Sequence, residues 1–292
     1  MKKLLQSLPL RTSIWAVALS SLLLIIISLL VSVFYQPLVA AIPPINIPAA
    51  FWGFVLAGFA AQMVDGALGM AYGVSSTSLL LSMGLPPASA SAAVHTAEVF
   101  TTAMSGLSHL KFGNVHKRLF ACLVLPGMLG AAVGAYLLTQ IDGNMIKPYI
   151  SLYLLVMGAI IIRKALLPRR PRSKTKAIGW LALVGGFVDS VGGGGWGPVV
   201  ASSLIGAGRS PRLVIGSVNA AEFFVAVVSA GMFTIFMGTS SWLIIAGLVV
   251  GGALAAPIAA VVCRYLPPKP MMILVGIVII SLSLRTFYML LF

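Results

Sequence analysis

The sequence predicts an all-α polytopic membrane protein: two inverted-topology repeats with discontinuous helices, preceded by one extra N-terminal helix. Three observations carry this. Sixty per cent of the 292 residues are apolar and 8% are charged, with a mean hydropathy of +1.07. A soluble domain carries about a quarter charged residues, so this chain cannot cover a water-facing surface. The apolar residues form continuous runs of about 20, enough to cross ~30 Å of hydrocarbon, without the alternation of an outer-membrane barrel. Finally, unusual residues recur at one fixed spacing, in segments that face opposite ways.

The first apolar run, Ser13 to Phe34, follows Lys2, Lys3 and Arg11. It exceeds the 7–15 residues of a signal-peptide core, which predicts an uncleaved helix; Leu38-Val39-Ala40 is where cleavage would fit. Gln36 to Pro48 is uncharged and rich in proline, the composition of an extended connector. Further apolar segments follow at 49–64, 67–83, 88–110, 119–139, 145–163, 177–190, 198–207, 211–236, 242–263 and 270–291. Those at 49–64, 67–83, 177–190 and 198–207 are short or broken by glycine, and either re-enter or cross in pairs. Cys122 and Cys263 lie within apolar runs, which excludes a disulfide framework and gives them the place of small core residues.

The formal charge of +14 would suggest nucleic acid in a soluble protein. Here it reports orientation. With the N-terminus cytoplasmic, seventeen of the nineteen Lys and Arg fall on cytoplasmic segments, Lys147 and Arg285 being the exceptions. The expected arrangement is multi-pass with the N-terminus cytoplasmic, and no nucleic-acid partner.

The chain repeats itself at an offset of 124 residues. Asp65 pairs with Asp189, Gly69 with Gly193, Tyr72 with Trp196, Gly73 with Gly197, and His95-Thr96-Ala97-Glu98 with Asn219-Ala220-Ala221-Glu222. Of the chain's five acids, four form two pairs at this one offset. The organisation is therefore an N-terminal helix and connector (1–48), repeat 1 (49–165), a basic cytoplasmic loop (166–176) and repeat 2 (177–292). Repeat 1 begins outside and repeat 2 inside, so the copies are inverted. Inverted repeats with broken helices are a transporter architecture, with the site near the midplane.

The chemistry-bearing residues fall into three groups. Asp65 and Asp189 sit inside membrane segments, where a carboxylate costs at least ~2.5 kcal/mol unless protonated, paired or wet. Asp-Gly and Asp-Ser are also turn steps, so these acids equally suit orienting the loops. The glycine runs follow: Gly66 to Gly73 with Ser75 and Ser76 behind it, and Gly192-Gly193-Gly194-Gly195-Trp196-Gly197-Pro198. Free backbone N–H groups at a helix start suit an anion, while close helix packing is the structural alternative. Third, Ser91, His95, Glu98, Thr102, Ser105 and His109 form one polar seam at helical spacing, which shrinks to Asn219, Glu222 and Ser229 in the second copy. A carboxyl kept from water favours its neutral form and can carry a proton, which His95 could share with Glu98; interhelical hydrogen bonding is the alternative.

The run Asp189 to Pro198, followed by Gly216-Ser217-Val218-Asn219-Ala220-Ala221-Glu222, closely resembles the sulfite exporter TauE/SafE family. Asp65-Gly66-Ala67-Leu68-Gly69 and His95-Thr96-Ala97-Glu98 are the weaker partner motifs, and the resemblance covers about 49–292. It implies a bacterial inner-membrane permease of small sulfur oxyanions such as sulfite, sulfoacetate or other organosulfonates. The expected substrate-binding residues are Gly69, Tyr72, Gly73, Ser75, Ser76, Gly193, Gly194, Gly195, Trp196, Gly197 and Asn219. Asp65, His95, Glu98, Asp189 and Glu222 are expected in proton coupling or loop orientation. The expected partners are the sulfur anion, protons and the lipid bilayer, with no metal, no cofactor and no enzymatic activity. A cation transporter using the acids as ligands and a non-transporting membrane scaffold are the alternatives.

Overall fold

The computed structural model describes residues 48–68, 70–166, 177–238, 242–262 and 268–291. The predicted N-terminal helix, most of the connector and the basic loop, Gly69 and Cys263 lie outside them. Among the described residues there are ten helices and no strand: α1 (Ala49–Leu68), α2 (Tyr72–Ser82), α3 (Pro87–Lys111), α4 (Lys117–Gln140), α5 (Gly143–Leu166), α6 (Ile178–Gly192), α7 (Trp196–Gly206), α8 (Pro211–Met237), α9 (Trp242–Val262) and α10 (Pro268–Leu291). α7 begins with a π-helical stretch, Trp196–Ala201. Each of α1 to α5 has its counterpart five helices later.

Helices α4, α5, α8 and α10 contain stretches long and apolar enough to cross a membrane. α3 is longer than α4, at 25 residues, yet too polar to count by composition, because its seam of Ser91, His95 and Glu98 is turned into the protein and buried. Apolar side chains such as Leu125, Leu129 and Ile235 face outward. Trp52, Trp180 and Trp242 are exposed near the starts of α1, α6 and α9, where an interfacial aromatic belt places them.

The packing partners exchange between the halves. α1 lies on α9 as α6 lies on α4, while α3 packs on its own counterpart α8 and α5 on α10. Glycine faces allow the closest approaches: Gly130 against Leu183, Gly134 against Phe187, Gly251 against Val55. Contacts also give direction. Along α5 and α10, Gly158 meets Ile280 and Ile162 meets Gly276, so the two run antiparallel. His95 lies beside Phe233, Gly106 beside Ala220 and Asn114 beside Gly216, so α3 and α8 are antiparallel too. Counterpart helices running in opposite directions are consistent with inverted repeats.

The short helices form a hairpin. Pro126 lies against Gly179 and Gly134 against Phe187, so α4 and α6 run the same way. Phe120 stacks on Phe224 and Tyr136 on Phe236, so α4 and α8 also run the same way. Between α6 and α8 the chain must therefore come back, and α7 is the return. Its 11 residues span about 16 Å, half a hydrocarbon core. The α6–α7 pair re-enters rather than crosses.

Candidate functional site

Both helix breaks are built on one device. In repeat 2, α6 ends with Gly193 in the left-handed region (φ 67), which only glycine adopts without strain. The Gly194 N–H donates to the Asp189 backbone carbonyl at 2.9 Å. The Asp189 side chain then reaches over the loop, and its Oδ1 accepts the Trp196 N–H at 2.8 Å. In repeat 1, Asp65 Oδ1 accepts the Tyr72 N–H at 3.4 Å. Each aspartate thus caps the first amide of the half-helix seven residues on, because the residue before that half-helix, Ala71 or Gly195, has no side-chain oxygen to do so.

The breaks meet. A Cβ on Gly73 would stand 2.6 Å from the Gly194 Cα and 2.9 Å from Glu98 Oε1, so only glycine lets the two loops touch. Thr77 donates its hydroxyl to the Gly193 carbonyl, Tyr153 Oη donates to the Gly194 carbonyl at 2.7 Å, and Lys164 Nζ donates to the Pro198 carbonyl at 2.9 Å. The α3 seam closes the other side. Ser91 Oγ donates to the Ser190 carbonyl at 2.7 Å, and Asn219 Nδ2 donates to Ser105 Oγ at 3.0 Å. His95, wholly buried, brings its Nε2 within 3.2 Å of Asp189 Oδ2 and 4.0 Å of Glu98 Oε2.

All four paired acids, Asp65, Glu98, Asp189 and Glu222, line one narrow cavity together with Gly73 and the backbone of the second glycine run. About 20 Å³ of it is open to the centres of water molecules, room for one or two waters. No Lys or Arg is among its lining residues. A polar pocket at the junction of two broken helices could offer an anion only the first-turn amides that the aspartates and the helix leave free, and it surrounds that anion with carboxyls. Two unit charges 4 Å apart repel by about 4 kcal/mol at an effective dielectric of about 20, so an anion and four carboxylates cannot share this space unless charge is neutralised.

Of the residues expected to hold substrate, Tyr72, Gly73, Gly194, Gly195 and Gly197 line the cavity. Gly193 lies behind it as the α6 cap. Ser75 donates its hydroxyl to the Ala71 carbonyl, and Ser76 is buried with an unpaired hydroxyl. Trp196 is fully buried, edged by Gly127 and Gly185, with its Nε1–H donated to the Val218 carbonyl at 3.1 Å; it is a packing residue of α7 and not part of the cavity lining. Asn219 is engaged with Ser105 outside the lining. Ala71 and Thr101 are lining residues the sequence did not single out, and Tyr153 and Lys164 are tethers it did not find. Thr101 lies three residues after Glu98, a spacing that could have flagged it. Tyr153 has Ile277 at its repeat position, so comparing the two copies could not.

Comparison with known proteins agrees with this architecture. The family model described as sulfite exporter TauE/SafE matches residues 54–286. A Bacillus subtilis (strain 168) protein described as "Probable membrane transporter protein YtnM" is 46% identical over 243 residues, covering 80% of this chain and 81% of that protein. No solved structure matches. With four-fifths of its length shared with a curated relative and its two acid-bearing glycine breaks inside the matched region, the chain belongs to the TauE/SafE family of membrane transporters.

Proposed function

We propose that this permease moves a small sulfur oxyanion (sulfite, sulfoacetate or another organosulfonate) across the bacterial inner membrane in proton-linked export, with its N-terminus cytoplasmic. One observation carries the proposal: two mirrored helix breaks, each with its first amide capped by an aspartate, border a single cavity lined by four carboxyls and no cation. The amides supply an anion site of the kind found at helix starts. The carboxyls make occupancy by an anion conditional on protons. Asp65 and Asp189 are spent on holding the half-helices and orient the loops. Glu98 and Glu222, whose side chains make no such cap, are the groups that take up and release protons as the anion passes. His95 bridges Asp189 and Glu98 and connects the two copies. The family name and the relative's printed description support a transporter; the sulfur oxyanion comes from the family name.

The cavity is too tight to pass an oxyanion, so transport requires the α1–α2 and α6–α7 hairpins to part. The test is efflux from proteoliposomes loaded with sulfite or sulfoacetate under an imposed pH gradient. Efflux that follows the gradient in the wild type and loses its pH dependence in Glu98→Gln supports the assignment. Efflux indifferent to the gradient, or a Glu98→Gln protein with an unchanged pH profile, overturns the coupling role.

A further inference from the structure

The centre of the α3–α6 contact brings together three side-chain atoms that can each accept a hydrogen bond or bind a cation: His95 Nε2, Asp189 Oδ2 and Glu98 Oε2. The His95 tautomer is set by its surroundings. Nδ1 lies 2.8 Å from the Ser91 backbone carbonyl, which can only accept. Ser91 Oγ, 3.2 Å away on the same side, has spent its hydrogen on the Ser190 carbonyl. Nδ1 therefore carries a proton, and His95 turns its Nε2 toward Asp189 Oδ2, 3.2 Å away, and Glu98 Oε2, 4.0 Å away. Glu98 is 3% exposed and its Oε2 has no hydrogen-bond partner. Acceptors buried without a donor are costly, so these three either share a proton or hold a cation between them.

We propose that this gap is a binding site for a divalent first-row metal ion of the zinc–manganese type, held by His95 Nε2, Glu98 and Asp189. The three ligand atoms lie within 4.8 Å of one another, and tetrahedral zinc ligands stand about 3.3 Å apart, so small side-chain movements close the shell. One imidazole and two carboxylates suit such ions better than calcium or magnesium. The surroundings are those of a ligating histidine: the other ring N–H is donated to a backbone carbonyl, and Asp189 Oδ1 is held by the Trp196 N–H, leaving Oδ2 to coordinate. Glu98 and Asp189 border the cavity, so the remaining coordination positions open into it and set a positive charge where the lining has none. The site is argued from α3 and α6 alone and does not depend on the cargo; an ion held by Glu98 would leave Glu222 as the acid that exchanges protons.

The experiment is metal binding to the full-length protein in detergent. The protein is stripped with chelator, dialysed against Zn²⁺ or Mn²⁺ and assayed for bound metal by mass spectrometry, with thermal unfolding recorded in parallel. Near-equimolar metal and a melting temperature that rises with metal concentration are expected. Glu98→Gln and Asp189→Asn each weaken binding by about a hundredfold or more. Asp189→Asn keeps an oxygen for the Trp196 amide, and Glu98→Gln removes no hydrogen bond, so each serves if the other fails to fold. His116→Asn, at the exposed start of α4, leaves binding unchanged. Bound metal below a tenth of equimolar in the wild type, or equal metal in the wild type and both carboxylate variants, overturns the site and leaves a shared proton as the occupant of the gap. No transport is read, so a failed oxyanion assay and a failed metal site are told apart.

Discussion

The two helix breaks share a device and differ in how firmly it is held. In repeat 2, Asp189 is 2% exposed, caps Trp196 at 2.8 Å and touches His95 with its second oxygen, and the loop is tied to α5 through Tyr153 and Lys164. In repeat 1, Asp65 caps Tyr72 at 3.4 Å, and Ala71 stands at φ 134, a conformation costly for any residue with a Cβ, where repeat 2 has Gly195 in extended backbone. Motifs at equivalent repeat positions form a braced break and a loose one. The braced break is suited to stay put while the loose one moves.

Several changes would break or sharpen this contrast. Asp189→Ala removes the cap and strands a buried histidine, so it is expected to lower stability by about 3 kcal/mol or more. Asp65→Ala, with one longer contact, is expected to cost about 1 kcal/mol. Melting curves in detergent compare the two, and equal losses would erase the distinction. Next in size is the acid pair. Glu98→Gln, beside His95, is expected to flatten the pH profile of efflux, and Glu222→Gln to displace it without flattening it. Tyr153→Phe unties the Gly194 carbonyl and should cost about 1 kcal/mol, seen as a lower melting temperature and faster proteolysis near Gly194. The smallest effect has the opposite sign: Ala71→Gly relieves the strained φ and should stabilise by up to about 1 kcal/mol.

Much of this was legible before any coordinates, and the rest was not for identifiable reasons. The 124-residue offset placed Asp65 and Asp189 in equivalent roles, because a rare acid in a hydrophobic segment is a strong marker, and Asp-Gly and Asp-Ser steps point to turns. The α3 seam was readable because helical spacing alone puts Ser91, His95 and Glu98 on one face. Trp196 is buried outside the cavity lining, although the repeat pairs it with Tyr72, which lines it. Its pairing with Tyr72 suggested a shared site, but an indole goes where space exists, and the space is made by Gly127 and Gly185 on other helices. Re-entry of α6–α7 was undecidable from sequence, since it follows from both α6 and α8 running alongside α4. Tyr153 and Lys164 sit in ordinary-looking helix with no repeat signature, so their reach to the second loop is a fact of packing only.

Because α3 and α8 run antiparallel, the segment Gly84–Ala88 and its counterpart Gly208–Arg212 emerge at opposite poles of the bundle. One is uncharged and the other carries Arg209 and Arg212, with Arg212 gripping Asn114 and the Phe112 carbonyl at the neighbouring turn. A membrane-impermeant thiol reagent should therefore modify a cysteine placed at Gly84 and one placed at Arg209 from different compartments. The clasp on Asn114 gives the arginine pole a polar fastening that the prolines of the other pole cannot supply.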